Sequence, residues 1–424
     1  MQMKKKIVIV GGGFAGIELV DKLKKSDLYE VVLVDLNNYN FFPPLLYQVA
    51  SGFMEPSAIS YPFRKILRGK NNVRFRLGAL QKVVPEENKI ILSNGEVSYD
   101  MLVMATGTES NFFGNKNIER DALPMKTIGD ALALRNLVFT RLERATRVED
   151  PLRRKKLLSF VIAGAGPTGV ELSGILAEMR KHIIIKDYPE LEREDLGEIY
   201  LLDGLDAVLA AMSEKTQNYT KEKLEDLGVK VKLNTLVKDF NDGVVYLSDG
   251  TTIASKNLIW AAGVSAKVFD GFKKEDYGRG RRLITDTFNR VKGYENIFAV
   301  GDTAILEGDP GYPDGHPQVA QVAIQMADNL AENLLKDGID WQPFQYSDKG
   351  SMAIIGRNKA VTDGPNESFF LKGFPAWFVW IFVHIMSLVN YKNRIRALYD
   401  WIGYYFSKDQ SFRMIIKPRD TSKK

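Results

Sequence analysis

Two glycine fingerprints, about 150 residues apart, constrain this chain more than any other feature. Ile7-Val8-Ile9-Val10 runs directly into Gly11, Gly13 and Gly16, and Phe160-Val161-Ile162-Ala163 into Gly164, Gly166 and Gly169. Each is a short apolar run, as a buried parallel strand reads, followed at once by Gly-x-Gly-x-x-Gly. The first glycine makes the turn, the second lets backbone approach a pyrophosphate, and the third packs helix on strand. The helix that follows offers unpaired N–H groups to the phosphates. One such motif is weak evidence, but two after matching strand patterns make coincidence an inferior account. The chain is expected to hold two dinucleotides, an arrangement suited to electron transfer.

An acidic residue supports each fingerprint. Glu30-Val31-Val32-Leu33-Val34-Asp35 reads as the second strand of a βαβ unit, with Asp35 placed to accept from a ribose diol. Ile199-Tyr200-Leu201-Leu202-Asp203 has the same form. Its longer separation is expected to be a charged surface excursion over residues 186–198. Either aspartate could instead be a strand-end turn residue. A carboxylate at Asp203 repels a 2′-phosphate and so favours NADH over NADPH.

The rest of the chain repeats this grammar. Tyr99 to Gly107 is a buried strand ending in Ala105-Thr106-Gly107, and Asn257 to Gly263 is its near-repeat ending in Ala261-Ala262-Gly263. The strand Asn296 to Val300 then ends in Gly301-Asp302, where Asp302 suits a grip on a ribityl hydroxyl. For the aromatic, proline-rich segment Asn40 to Tyr47 the plainest account is packing against the first domain.

Composition excludes several chemistries. There is no cysteine, so disulfides, thiolate metal sites and a redox-active dithiol are ruled out. Three scattered histidines (His182, His316, His384) make a metal site unexpected. The lysines before Ile7 imitate a secretory signal, but the apolar run is too short and ends in glycines, so a cytoplasmic protein is expected. Residues 391–424 hold nine Lys/Arg against three Asp/Glu, a local excess that exceeds the whole chain's formal +5.

These motifs resemble the two-dinucleotide-binding-domain flavoproteins and, more narrowly, the type II NADH dehydrogenases. The narrower resemblance rests on Phe42 to Gly52, on Ala320-Gln321-Val322-Ala323-Ile324-Gln325, on Lys349-Gly350-Ser351, and on an amphipathic tail. It covers essentially the whole chain. It implies an α/β fold with two Rossmann-like domains, for FAD and NADH, and a C-terminal membrane-docking helical segment. The expected boundaries are 1–113 with 280–345 for FAD, 114–279 for NADH, and 346–424 for the membrane region. Non-covalent FAD, NADH as substrate and a menaquinone or ubiquinone acceptor follow from the resemblance, without proton pumping.

The resemblance also assigns residues. Gly11, Gly13, Phe14, Ala15, Gly16, Asp35, Pro44, Leu80, Thr106, Gly107, Asp302 and Ala320 would hold FAD. NADH would be held by Gly164, Gly166, Thr168, Gly169, Asp203, Ala262 and Gly263. Glu171, expected on the first turn of its helix, matches a glutamate by the nicotinamide that steers binding or relays protons; a carboxylate favoured by the helix dipole is the plainer account. Gln318, Gln321 and Gln325 are spaced to share one face of a helix beginning near Pro317. Gln321 and Gln325 match the family's quinone-site glutamines, against the alternative of a polar surface stripe. Lys349 matches a lysine near flavin and quinone, or is a solvated loop lysine.

The tail bears on location. Phe374 to Val389 is nearly all apolar, yet at about 16 residues it falls short of the roughly 20 needed to span a bilayer. Tyr391, Ile395, Leu398, Ile402 and Tyr405 recur at helical spacing, with Lys392, Arg394 and Arg396 off that face. This describes a helix lying in the interface of an anionic membrane, or else a homodimer contact. A nucleic-acid partner ranks low, since the aromatics sit in an apolar helical face. The reading is therefore a peripheral, monotopic NADH:quinone oxidoreductase on the cytoplasmic face. A soluble NAD(P)H oxidase or ferredoxin-type reductase is the same-class alternative; an NADH-binding sensor flavoprotein is the other.

Overall fold

A computed structural model describes residues 4–336, 339–407 and 412–416. In chain order the elements used below are β1 (Lys5–Val10), α1 (Phe14–Leu23), β2 (Tyr29–Asp35), α2 (Leu46–Ala50), β3 (Val73–Leu77), β4 (Met101–Met104) and α3 (Ile128–Ala145). There follow β5 (Phe160–Ala163), α4 (Pro167–Met179), β6 (Ile199–Leu202), β7 (Val229–Lys232), β8 (Asn257–Trp260) and β9 (Ile297–Ala299). The last are α5 (Ala320–Leu335), β10 (Ser351–Gly356), β11 (Lys359–Asp363), β12 (Phe370–Lys372), α6 (Phe374–Ser387) and α7 (Tyr391–Ser407). They form two compact units: residues 1–41, 61–109 and 264–348, and residues 42–60, 110–263 and 349–424.

The first unit is built on a five-stranded sheet in the order β9-β4-β1-β2-β3. All its pairings are parallel, with Ile7 beside Val31 and Met101. Ile7, Val8 and Ile9 are wholly buried, which is why β1 reads as an unbroken apolar run. Each such side chain contributes about 1.5–3 kcal/mol of burial. One face of the sheet packs on α1 and α5 through Leu19, Leu23, Met326 and Leu330.

The second unit repeats the plan: the short strand Leu123–Pro124, then β8, β5, β6 and β7, again all parallel. The extra residues between α4 and β6 continue α4 as a π-helical turn over Arg180–Ile184 and a last helical turn at Ile185–Asp187. A chain segment then leads through Arg193–Asp195 to β6. A separate three-stranded antiparallel sheet, β10-β11-β12, belongs to this unit, with α6 and α7 after it.

Of the Asn40 to Tyr47 segment, Asn40 and Phe41 belong to the first unit as expected, whereas Phe42–Ser60 is compact with the second. Leu46 to Ala50 are all buried, and the α2 side chain Gln48 accepts from the Trp401 indole at 2.8 Å. An aromatic partner more than 350 positions away was out of reach of local sequence reasoning.

Candidate functional site

Both glycine loops are built by one device. In the first unit the Gly12 N–H donates to Asp35 Oδ2 at 2.7 Å, and Asp35 Oδ1 accepts from Asn37 N at 2.7 Å. In the second, Ala165 N–H donates to Asp203 Oδ2 at 2.6 Å, and Asp203 Oδ1 accepts from Leu205 N at 2.9 Å. Each strand-end aspartate thus clamps the middle of its loop through charge-assisted bonds. Burial pushes the Asp35 carboxyl up, while its two backbone bonds pull it back. Asn40 Nδ2 adds a bond to Gly12 O at 2.7 Å, a support the sequence reading lacked.

Glycine is demanded at these loops by close approach. Gly11 (φ 106°) and Gly164 (φ 103°) adopt conformations that side chains avoid, and a Cβ on either would strike the carbonyl of Ala105 or Ala261. A Cβ on Gly16 or Gly169 would strike the carbonyl of Gly11 or Gly164. Gly13, Gly107 and Gly166 are different: nothing lies within 4 Å of a Cβ built there. Tight glycines shape the turns, and open glycines leave bare backbone facing space. Neither α1 nor α4 carries a side-chain N-cap, so their first N–H groups remain for phosphate oxygens. This donor set fits one dinucleotide in each unit.

The remaining residues of the first unit take up these positions. Ala15 is core, while Phe14 is partly buried at the start of α1. Leu80 packs its side chain into the second core of this unit with Leu92. Thr106 and Thr303 hydroxyls are 3.0 Å apart, and Thr108 donates to Asp302 Oδ2 at 3.4 Å, so the Ala-Thr-Gly and Gly-Asp strand ends are joined.

The helix after Pro317 begins later than expected. Val319 is extended and caps α5, which starts at Ala320. Gln318 therefore lies outside the helix, and its amide donates to Asp302 O at 3.3 Å. Proline restricts the chain there, and a tight turn from Val319 N to Pro317 O delays helix entry. Gln321 and Gln325 do share α5. Gln325 binds both backbone groups of Ser347, at 2.9 Å each, so its amide holds the chain in place.

In the second unit, Thr168 is exposed on the first turn of α4, and Ala262 and Gly263 are partly exposed beyond β8. Gly263 O accepts from Asn111 N, whose residue also receives the Trp260 indole. Pro44 is partly exposed on a 3₁₀ turn. Lys349 is exposed just before β10, and Gly350 (φ 83°) abuts the carbonyl of Asp363, which explains glycine after that lysine.

Glu171 is the fifth residue of α4, in its second turn, and only 7% exposed. The helix-dipole account of this carboxylate fails on both counts, because the dipole acts on the first turn. Burial raises its carboxyl to about 8, opposed by a long 3.4 Å bond from Ile354 N and by the Trp380 indole. Glu171 lines a cavity together with Tyr47, Trp380, Trp401, Glu178 and Tyr404. Glu178 escaped the sequence reading, although it lies seven residues after Glu171 and so on the same helical face.

The tail forms two helices. Along α6 and α7, Phe378, Phe382, Met386, Tyr391, Ile395, Tyr399, Ile402 and Phe406 are 50–79% exposed. Among the described residues no helix is long and apolar enough to cross a membrane. The inner face of α7 is separate, with Asn393, Ala397 and Trp401 buried. Arg394 is not a free cation: it donates to Leu388 O and Met386 O and closes the end of α6. Residues 408–411 and 417–424, with much of the basic tail, lie outside the described residues.

Comparison with known proteins agrees with this architecture. Residues 5–327 match the family described as pyridine nucleotide-disulphide oxidoreductase, and residues 349–408 match the NDH2 C-terminal domain. A type II NADH:quinone oxidoreductase, Ndh, of Mycobacterium tuberculosis is 36% identical over 95% of this chain and 88% of its own length. Its relative NdhA from the same organism is 34% identical over 93% and 86%. The structure of NDH2 from Plasmodium falciparum in complex with NADH shares the fold, with a TM-score of 0.87 over 98% of this chain and all of that one, at 23% identity. With the doubled nucleotide cradle and the matched C-terminal region, the chain belongs to the type II NADH:quinone oxidoreductases, FAD-dependent enzymes of the pyridine nucleotide oxidoreductase class.

Proposed function

We propose that this protein oxidises NADH through non-covalent FAD and reduces a membrane quinone to quinol without pumping protons. The observation that carries the reading is the doubled cradle, in which Asp35 and Asp203 clamp equivalent backbone N–H groups. Bound FAD supplies the step that accepts a hydride from NADH and returns two electrons to quinone.

In the first unit Gly11, Gly13 and Gly16 receive the FAD pyrophosphate, Asp35 its ribose and Asp302 its ribityl chain. Phe14, Ala15, Leu80, Thr106, Gly107 and Ala320 complete the surround. In the second unit Gly164, Gly166, Thr168 and Gly169 receive NADH, Asp203 its ribose, and Ala262 and Gly263 flank it. Gln321 offers an amide to a quinone carbonyl, whereas Gln325 is a positioning residue. Lys349 supplies positive charge, and Glu171, held neutral by burial, supplies a proton.

The exposed apolar row on α6 and α7 docks the protein on the membrane surface at the cytoplasmic face. Large apolar side chains at least half exposed on consecutive helices form the kind of contiguous apolar surface that marks an interaction site. A homodimer through the same region is the second use of that surface.

Anaerobic NADH oxidation by the FAD-loaded protein, with and without a short-chain menaquinone or ubiquinone analogue, tests the reading. Turnover of about 1–1000 per second only with quinone is expected. Fast turnover with dioxygen or a protein acceptor, and little with quinone, would replace it by the soluble-reductase alternative.

A further inference from the structure

The α4 cavity contains more proton chemistry than one glutamate requires. Glu171 and Glu178 are 7% and 6% exposed and seven residues apart, so both face the cavity about 10 Å from each other along the helix. That span is too long for direct proton transfer and suits a short water chain. Glu178 is well anchored: Oε1 accepts from Arg357 N at 2.6 Å and Oε2 from the Tyr404 hydroxyl at 2.7 Å.

The buried Nε of Arg357, beside Glu178, has no hydrogen-bond partner, whereas the wholly buried Trp380 indole N–H faces the Glu171 carboxyl and favours its charged form. An orphan donor in a space walled by two carboxylates is a site for ordered water, which needs two to four polar partners. Tyr404 and Arg357, the two partners of Glu178, are partly exposed, as are Ile354, Trp377 and Ile381, whereas Tyr47, Trp380 and Trp401 are buried, so the Glu178 end is one point at which the cavity wall meets solvent.

We propose that Glu178, gated by Tyr404 and Arg357, is the solvent-side entry of a water-filled path that returns protons to Glu171. The inference rests on the assignment of Glu171 as proton donor to quinone. The overall reaction, NADH plus quinone plus one proton giving NAD⁺ and quinol, consumes one proton beyond the hydride. That proton leaves bulk water for Glu178, crosses the cavity waters and reprotonates Glu171 after its O–H bond has broken and a quinol O–H bond has formed. Both electrons come from NADH. Of the elements around the cavity, α2 presents Tyr47, the turn after β10 presents Arg357, and α7 presents Tyr404. From α6 come only Trp377, Trp380 and Ile381. Burial and the Glu178 carboxylate raise the Tyr404 phenol, so it acts as a neutral hydroxyl that opens or closes the Glu178 end.

The test uses full-length, FAD-loaded Glu178→Gln, Tyr404→Phe and Glu171→Gln variants, with flavin content and melting temperature as folding checks. For Glu178→Gln, quinone-dependent kcat should fall roughly tenfold or more, while NADH-driven flavin reduction and quinone KM stay within about twofold. The solvent deuterium isotope effect on quinone reduction should rise, and Glu178→Asp should restore part of the rate. Tyr404→Phe should alter the same isotope effect and decides the matter if Glu178→Gln folds poorly. If Glu171→Gln is impaired while Glu178→Gln and Tyr404→Phe match the wild type in kcat and isotope effect, the entry path is wrong and the Glu171 assignment stands. If Glu171→Gln is itself unimpaired, the Glu171 assignment and the path built on it both fall.

Discussion

Asp203 Oδ2 lies 2.6 Å from the Ala165 nitrogen, and that single bond ties the end of β6 to the middle of the second glycine loop. Asp35 does the same for Gly12 in the first unit. The acidic residue of each fingerprint therefore shapes its glycine loop, in addition to the ribose role proposed for it. A bond to an ionised group contributes about 1.5–3 kcal/mol. Asp203→Ala should raise the NADH KM at least tenfold while FAD content, read from the flavin absorbance, is unchanged. Equal loss of FAD and NADH binding would show that the two loops are not independent.

Glu171 makes a pH prediction. Burial lifts its carboxyl from 4.5 to about 8, so in the folded protein it is neutral up to about pH 8. The unfolded chain releases that proton near its ordinary value. The stabilisation linked to the bound proton is thus complete below about pH 4.5 and is lost as pH rises towards 8, at about 1.4 kcal/mol per pH unit. Glu171→Gln does not titrate. Its melting temperature should gain on the wild type between pH 5 and pH 8, and a constant difference would count against a buried neutral carboxyl.

The two glutamines of α5 should separate in assay. Gln325 makes two hydrogen bonds to the Ser347 backbone, so Gln325→Ala should cost about 1–2 kcal/mol of stability along with turnover. Gln321→Ala should raise quinone KM by more than Gln325→Ala does. Matching effects of the two substitutions would refute the division of roles.

The exposed apolar row gives the membrane test. Phe378→Asp, Phe382→Asp and Ile395→Asp lie 59–63% exposed, so a triple variant should keep its fold and its FAD. It should no longer sediment with vesicles of mixed anionic and zwitterionic lipid, while the wild type does. Sedimentation of the variant like the wild type would exclude this row as the docking face. Loss of a dimer in the variant, seen by light scattering, would instead favour the homodimer use.

Much of this protein was legible in its sequence because its strongest signals are local. Ile7 to Gly16 and Phe160 to Gly169 each encode strand, turn and helix within ten residues; Gly16 and Gly169 answer to contacts inside that window, whereas Gly11 and Gly164 meet the distant carbonyls of Ala105 and Ala261. The exposed stripe on α7 was also legible, since Tyr391, Ile395 and Ile402 need only the helical period. What only the tertiary structure decided involves partners far along the chain. Gln48 meets Trp401, Glu178 meets Tyr404, and Gly174 has no room for a Cβ beneath Ile355 O. The late start of α5 and the use of Arg394 to close α6 were settled by backbone groups that no side-chain pattern reveals. Local periodicity determines which elements form, whereas burial and the pKa of Glu171 arise from neighbours that folding alone brings together.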